Sequence, residues 1–260
     1  VGPLAQSDYD GDGKLDLFVG GRILPRAYPL SPSSRLFRNE GGRLVPDAAN
    51  NPLFAGLGMV SAATFADVNG DGWPDLMVAV EWGTIRLFLN DRGSFKASEM
   101  QGLTGLASRW NGLATGDLDG DGRLDIVATS WGRNTEHAAS ASRPLYLYSF
   151  SAERGLEVVL AQEDRRLRQV SPLATFGRFG LALPASALWL RTFAAFADAS
   201  TEKALGPRAT SARRIAVASM DHMLFLNRGD RFAATPLPAS AQLAPAFYAG
   251  IADFNGDGNQ

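Results

Sequence analysis

The sequence has no cysteine and only two histidines in 260 residues. The first absence excludes a disulfide scaffold, a thiolate zinc site, an iron–sulfur cluster and a cysteine nucleophile. The second leaves His137 and His222 too few and too far apart in sequence for a catalytic metal centre. A basic excess is also missing: 25 Lys and Arg stand against 27 Asp and Glu, a formal net charge of −2. Nucleic acid is not expected as a partner, because no surplus cation is available for phosphates. No run of about 18 apolar residues occurs, so no membrane span is expected. The most apolar stretch, 180–197, is broken by Pro184 and Arg191. A nucleophile elbow, a P-loop and a dinucleotide fingerprint are all missing, and with them the usual sequence signs of an enzyme. The chain begins without Met and stops inside a motif, which reads as one piece of a longer polypeptide, truncated at both ends.

Glycine is plentiful at 28 residues, and much of it sits in a repeat. Segments 8–16, 67–75 and 117–125 share one nine-residue pattern, and 253–259 carries its first seven positions. Positions one, three, five and nine bear side-chain oxygens, and position six is Gly. The flanks recur too. Apolar strands are predicted at 15–19, 76–80 and 124–128, and a second set at 35–39, 86–90 and 223–227 each ends in Asn. One unit reads strand, acidic loop, strand, turn, strand, Gly turn, strand. About 50 residues and four strands are the size and content of a propeller blade. The expected fold is therefore an all-β propeller, with residues 1–260 holding about four to five blades.

The spacing between loops is 59, 50 and then 136 residues, so one region breaks the period. Hairpin-like strands are predicted at 144–148 and 156–160. Residues 163–207 read as a helical insertion between blade strands, ending at Gly206-Pro207. Trp189, Phe193 and Phe196 would share one face of a helix there. Segment 149–157 lies where another acidic loop is due, but its Asp positions are Ser, so no metal site is assigned to it.

The loop spacing matches the start of an EF-hand loop, where alternate side chains and one backbone carbonyl supply oxygens and Gly permits the sharp turn. The expected ligands in the first loop are Asp8, Asp10, Asp12, Asp16 and the carbonyl of Lys14. In the second they are Asp67, Asn69, Asp71, Asp75 and the carbonyl of Trp73. In the third they are Asp117, Asp119, Asp121, Asp125 and the carbonyl of Arg123. The fourth offers Asp253, Asn255 and Asp257. A plain turn needs one Asp and one Gly, not this spacing three times over. All-oxygen ligation favours Ca²⁺ over Zn²⁺ or Cu²⁺, and Mg²⁺ prefers to keep its waters. At about 2 mM calcium and a dissociation constant of about 0.1 mM, each site adds about 1.8 kcal/mol. Cytosolic calcium is far too scarce for that, so the expected location is extracellular, periplasmic or at the cell surface.

The loops with their flanks resemble FG-GAP/VCBS repeats, the calcium-binding blades of integrin-α-like propellers. Stretches such as 17–22, 110–114 and 236–245 are similar to exported bacterial proteins related to cartilage acidic protein, which pair such repeats with an ASPIC/UnbV domain. The resemblance implies a seven-bladed parent, with loops on one face and calcium outside the central channel. It also implies a non-enzymatic binding or adhesion role toward a protein or glycan ligand. The alternative is an accessory propeller of a secreted polysaccharide-active hydrolase or lyase. Trp73, Trp82, Trp110 and Trp131 recur near loops and strand ends, where packing between blades is the default and sugar stacking the alternative.

Overall fold

The computed structural model describes residues 2–152 and 155–256. It is all-β, with four antiparallel sheets and a few short helices. The first sheet orders β1 (Leu4–Ser7), β2 (Asp16–Val19), β3 (Arg35–Glu40) and β4 (Arg43–Pro46). The second orders β5 (Met59–Ala66), β6 (Asp75–Gly83), β7 (Ile85–Asp91) and β8 (Ser94–Ser98), and β9 (Ser108–Arg109) joins the far end of β6. The third begins with β10 (Gly112–Gly116) and β11 (Asp125–Thr129).

Strand β6 explains how these sheets stack. Residues 75–82 are all buried, as expected for a continuous apolar run covered on both faces. Leu76 and Val78 pack with Phe18, Leu36 and Phe54 on the first-sheet side. Met77 and Ala79 point the other way, into a cluster with Trp110, Ile126 and Phe225 of the third sheet. Sheets packed face to face in series are the arrangement of propeller blades.

The third sheet is completed only after a long excursion. Its outer strands are β16 (Met223–Asn227) and β17 (Phe232–Pro236), and Ile126 of β11 faces Phe225 of β16. Between them lies the fourth sheet, β12 (Leu145–Ala152), β13 (Gly155–Asp164), β14 (Gln169–Pro172) and β15 (Arg213–Val217), ordered β14-β13-β12-β15. One face, with Leu145, Leu147 and Val217, packs on Met59, Trp82 and Met220. The other, with Tyr148, Phe150 and Val159, is covered by α1 (Phe176–Ala182), α2 (Phe193–Ala197) and α3 (Thr201–Leu205).

The helical stretch is therefore shorter than 163–207. Glu163 ends up opposite Val170 in the β13–β14 hairpin, because a charged run with a sparse apolar stripe also satisfies strand alternation. Nor do Trp189, Phe193 and Phe196 share a helix. Thr192 caps α2 by accepting the Ala195 N–H, so Trp189 stays outside it. Phe196 is buried while Phe193 is exposed. Ser200 does cap α3, accepting from Lys203. In segment 149–157, the described residues 149–152 and 155–157 belong to the paired strands β12 and β13, with Ala152 opposite Gly155. Trp110 is fully buried against Phe225, a packing role. His222 is buried too, its Nδ1 accepting from the Ser130 N–H at 2.8 Å and its Nε2 lying 2.9 Å from the Ala244 carbonyl.

Candidate metal centres

The loops join β1 to β2, β5 to β6 and β10 to β11, so all three stand at the same end of their sheets. In each, the first Asp gathers three backbone N–H groups. Gly11 and Asp12 donate to Asp8 Oδ1 at 2.8 and 3.0 Å, and Gly13 to Oδ2 at 2.8 Å. Asp67 receives Gly70, Asp71 and Gly72 at 2.8, 3.1 and 2.8 Å. Asp117 receives Gly120, Asp121 and Gly122 at the same distances. The turn needs left-handed backbone at two positions, with φ of 76° and 83° at Gly11 and Gly13. Lys14, Trp73 and Arg123 each donate their N–H to the Asp two residues earlier.

The ninth-position Asp is buried in every loop. Asp16 accepts from the N–H groups of Asn39 and Tyr9, Asp75 from Asn90 and Val68, and Asp125 from Asn227 and Leu118. The Asn at the end of β3, β7 and β16 thus fixes the last carboxylate of its own loop. Two of these Asn residues also reach the neighbouring sheet. Asn90 donates its side-chain N–H to the Tyr9 carbonyl at 2.9 Å, and Asn227 to the Val68 carbonyl at 2.9 Å. The recurring Asn was visible in the sequence as a strand end, but its role between sheets was not.

Three of the four expected side chains gather in the first loop, without Asp12, and three in the third, without Asp125. Carboxylate oxygens of Asp8, Asp10 and Asp16 lie within 4.8 Å of one another, as do those of Asp117, Asp119 and Asp121. The second loop repeats the turn with Asn69 at position three, its amide N–H donated to Asp71. In the fourth, Asp253 Oδ1 accepts from Asn255 and Gly256 at 3.3 and 2.7 Å, while Asp257 lies outside the described residues. Cations already lean on this charge. Lys14 pairs with Asp12 at 2.7 Å, Arg123 pairs with Asp121, and Arg228 reaches Asp119 at 2.6 Å and Asp121 at 3.2 Å. The donor set is hard oxygen throughout, and the backbone bonds leave lone pairs on it, which fits calcium.

Burial and crowding raise the proton affinity of Asp16 and Asp75. Burial pushes Asp16 upward, reinforced by Asp10 and Asp12 and opposed by the N–H groups it accepts. Asp75 is pushed to about 6, first by burial and then by Asp71 and Asp67. Without a cation, this group's stabilisation is complete below its ordinary value and is lost as pH rises through about 6. A cation reverses the balance, since it needs the carboxylate ionised. Calcium affinity of the second loop is accordingly expected to be flat above about pH 7 and to fall up to tenfold per unit below about 6. Titrations in an Asp8→Ala/Asp117→Ala background would read this loop; a flat response down to pH 5 would contradict it.

An FG-GAP-like repeat family model matches residues 8–78 and 67–128. Human integrin alpha-7 is 32% identical over 124 residues, which cover 42% of this chain and 10% of the human protein. The matched family segments run through the first three acidic loops and their strands. Residues 8–128 of the chain thus carry FG-GAP-like repeats.

Proposed function

We propose that the chain is a calcium-binding, non-enzymatic propeller segment that works outside the cell as a binding or adhesion surface. The observation that carries this reading is the threefold recurrence of one oxygen-lined turn at the same end of three stacked sheets. Asp8, Asp67 and Asp117 would open the three sites, and Asp16, Asp75 and Asp125 would close them. Bound calcium supplies positive charge that offsets the clustered carboxylates, and so rigidifies the sheet junctions. The rigid sheets then present a surface to a protein or glycan, as the integrin likeness suggests. Immobilised protein screened against extracellular glycans and proteins, in calcium and in chelator, tests the role. Retention that disappears in chelator is expected. Retention of polysaccharide alone, with no protein retained, would instead favour an accessory propeller of a secreted polysaccharide-active hydrolase or lyase.

A further inference from the structure

The end of the sheets away from the acidic loops carries a second polar cluster. Glu81, near the end of β6, is almost fully buried and is shared by two guanidinium groups. Arg22 Nη2 lies 2.7 Å from one oxygen, and Arg109 Nη2 lies 3.3 Å from the other. Two positive charges on one buried carboxylate leave an excess of one, which the solvent-exposed carboxylate of Glu136 nearby offsets only weakly, so the place calls for an anion.

The surroundings are built rather than incidental. Arg109 stacks on the Trp131 ring, with Cζ 3.9 Å from the ring centre. Trp82 holds a left-handed φ of 61° and donates its indole N–H to the Tyr28 hydroxyl at 2.6 Å. A bulky residue adopts that backbone at a cost, and such residues collect at functional sites. The inserted sheet closes over this cluster with Leu147 and Leu160. Two cavities of about 250 and 200 Å³ remain, and Arg109 and Leu160 line both. Arg109 and Trp131 both line the smaller one, and each keeps a buried N–H without an acceptor: Nε of Arg109 and Nε1 of Trp131. Orphaned buried donors are rare and costly. His137, Glu136 and Thr135 form its polar side, and Glu136 is exposed.

We propose that this cavity, between the loop-free end of the repeat sheets and the inserted sheet, binds a small carboxylate-bearing molecule through Arg109 and Trp131. A single carboxylate balances the single excess charge, and its two oxygens suit two N–H donors. A dianion such as phosphate would overshoot that charge. The site uses no residue of the acidic loops, so it stands or falls apart from the calcium reading.

The probes are sodium glucuronate, sodium acetate and glucose, at constant ionic strength. The readout is the set of five tryptophan indole N–H signals in heteronuclear NMR, with Trp131 assigned by Trp131→Phe. A saturable shift of the Trp131 signal with glucuronate is expected, weakened about tenfold or more in Arg109→Lys, which keeps the charge but removes Nε. Acetate acting alike would mean that any small carboxylate suffices, and glucuronate alone would mean a sugar acid; either supports the proposal. Glucose acting as strongly as glucuronate would overturn it. So would the lack of a saturable shift with both carboxylates up to about 50 mM. If Arg109→Lys does not fold, calorimetry with Trp131→Phe replaces it, since an aromatic ring is kept for stacking while the indole N–H is lost. Unchanged glucuronate affinity there would refute the assignment.

Discussion

In chelator the protein is expected to melt about 10–20 °C below its calcium-loaded form. Three sites at about 1.8 kcal/mol each supply about 5 kcal/mol, and in a chain of this size about 1 kcal/mol moves the midpoint by about 2–4 °C. The physical source is the clustering of Asp8, Asp10 and Asp16 and of Asp117, Asp119 and Asp121, together with the buried Asp75. These carboxylates repel one another until a cation is bound. Thermal melts followed by circular dichroism check this, with magnesium as the comparison ion. A shift of only a degree or two, or equal rescue by magnesium, would contradict calcium-specific loops.

Asn90→Ala is expected to cost about 3–5 kcal/mol. The Asn90 side chain donates to the Tyr9 carbonyl at 2.9 Å and the Pro74 carbonyl at 3.1 Å, and it accepts from the Gly93 N–H at 2.8 Å. It is 1% exposed, so water cannot replace those partners. Asn227 repeats the pattern with Val68, Leu124 and Gly229 and should cost as much. Asn39 provides the internal control. It bonds Leu15 and Gly42 within its own sheet, in a half-buried setting, so Asn39→Ala should cost only about 1–2 kcal/mol. Urea unfolding of the three variants in saturating calcium measures the difference. Equal losses at all three positions would show that the contact between sheets is not what matters.

The acidic loops were legible because their geometry is local. An Asp that gathers three N–H groups within five residues, with glycines at positive φ, leaves a fixed spacing in the sequence. The strands flanking them were legible for a similar reason, since Leu-Phe-Leu-Asn at 87–90 and 224–227 buries its Phe and its Asn in both copies. What could not be read was long-range pairing. Nothing local says that Phe225 returns to face Ile126 across the whole inserted sheet, or that Asn227 reaches the Val68 carbonyl. Residues 163–172 read as helical in the sequence because their apolar positions are too sparse to separate two periods. The Glu81, Arg22 and Arg109 cluster was silent for the same reason as the pairing. Its members come from β6, from β9 and from the connection after β2, with no shared spacing.

The most direct test of the central claim is a calorimetric calcium titration of the metal-stripped protein. The wild type is compared with Asp8→Ala, Asp67→Ala and Asp117→Ala, each removing the Asp that organises one turn. The account predicts about three sites with dissociation constants near or below about 1 mM, and one site fewer in each variant. No heat at millimolar calcium from folded protein would contradict it, as would a stoichiometry that the three substitutions leave unchanged.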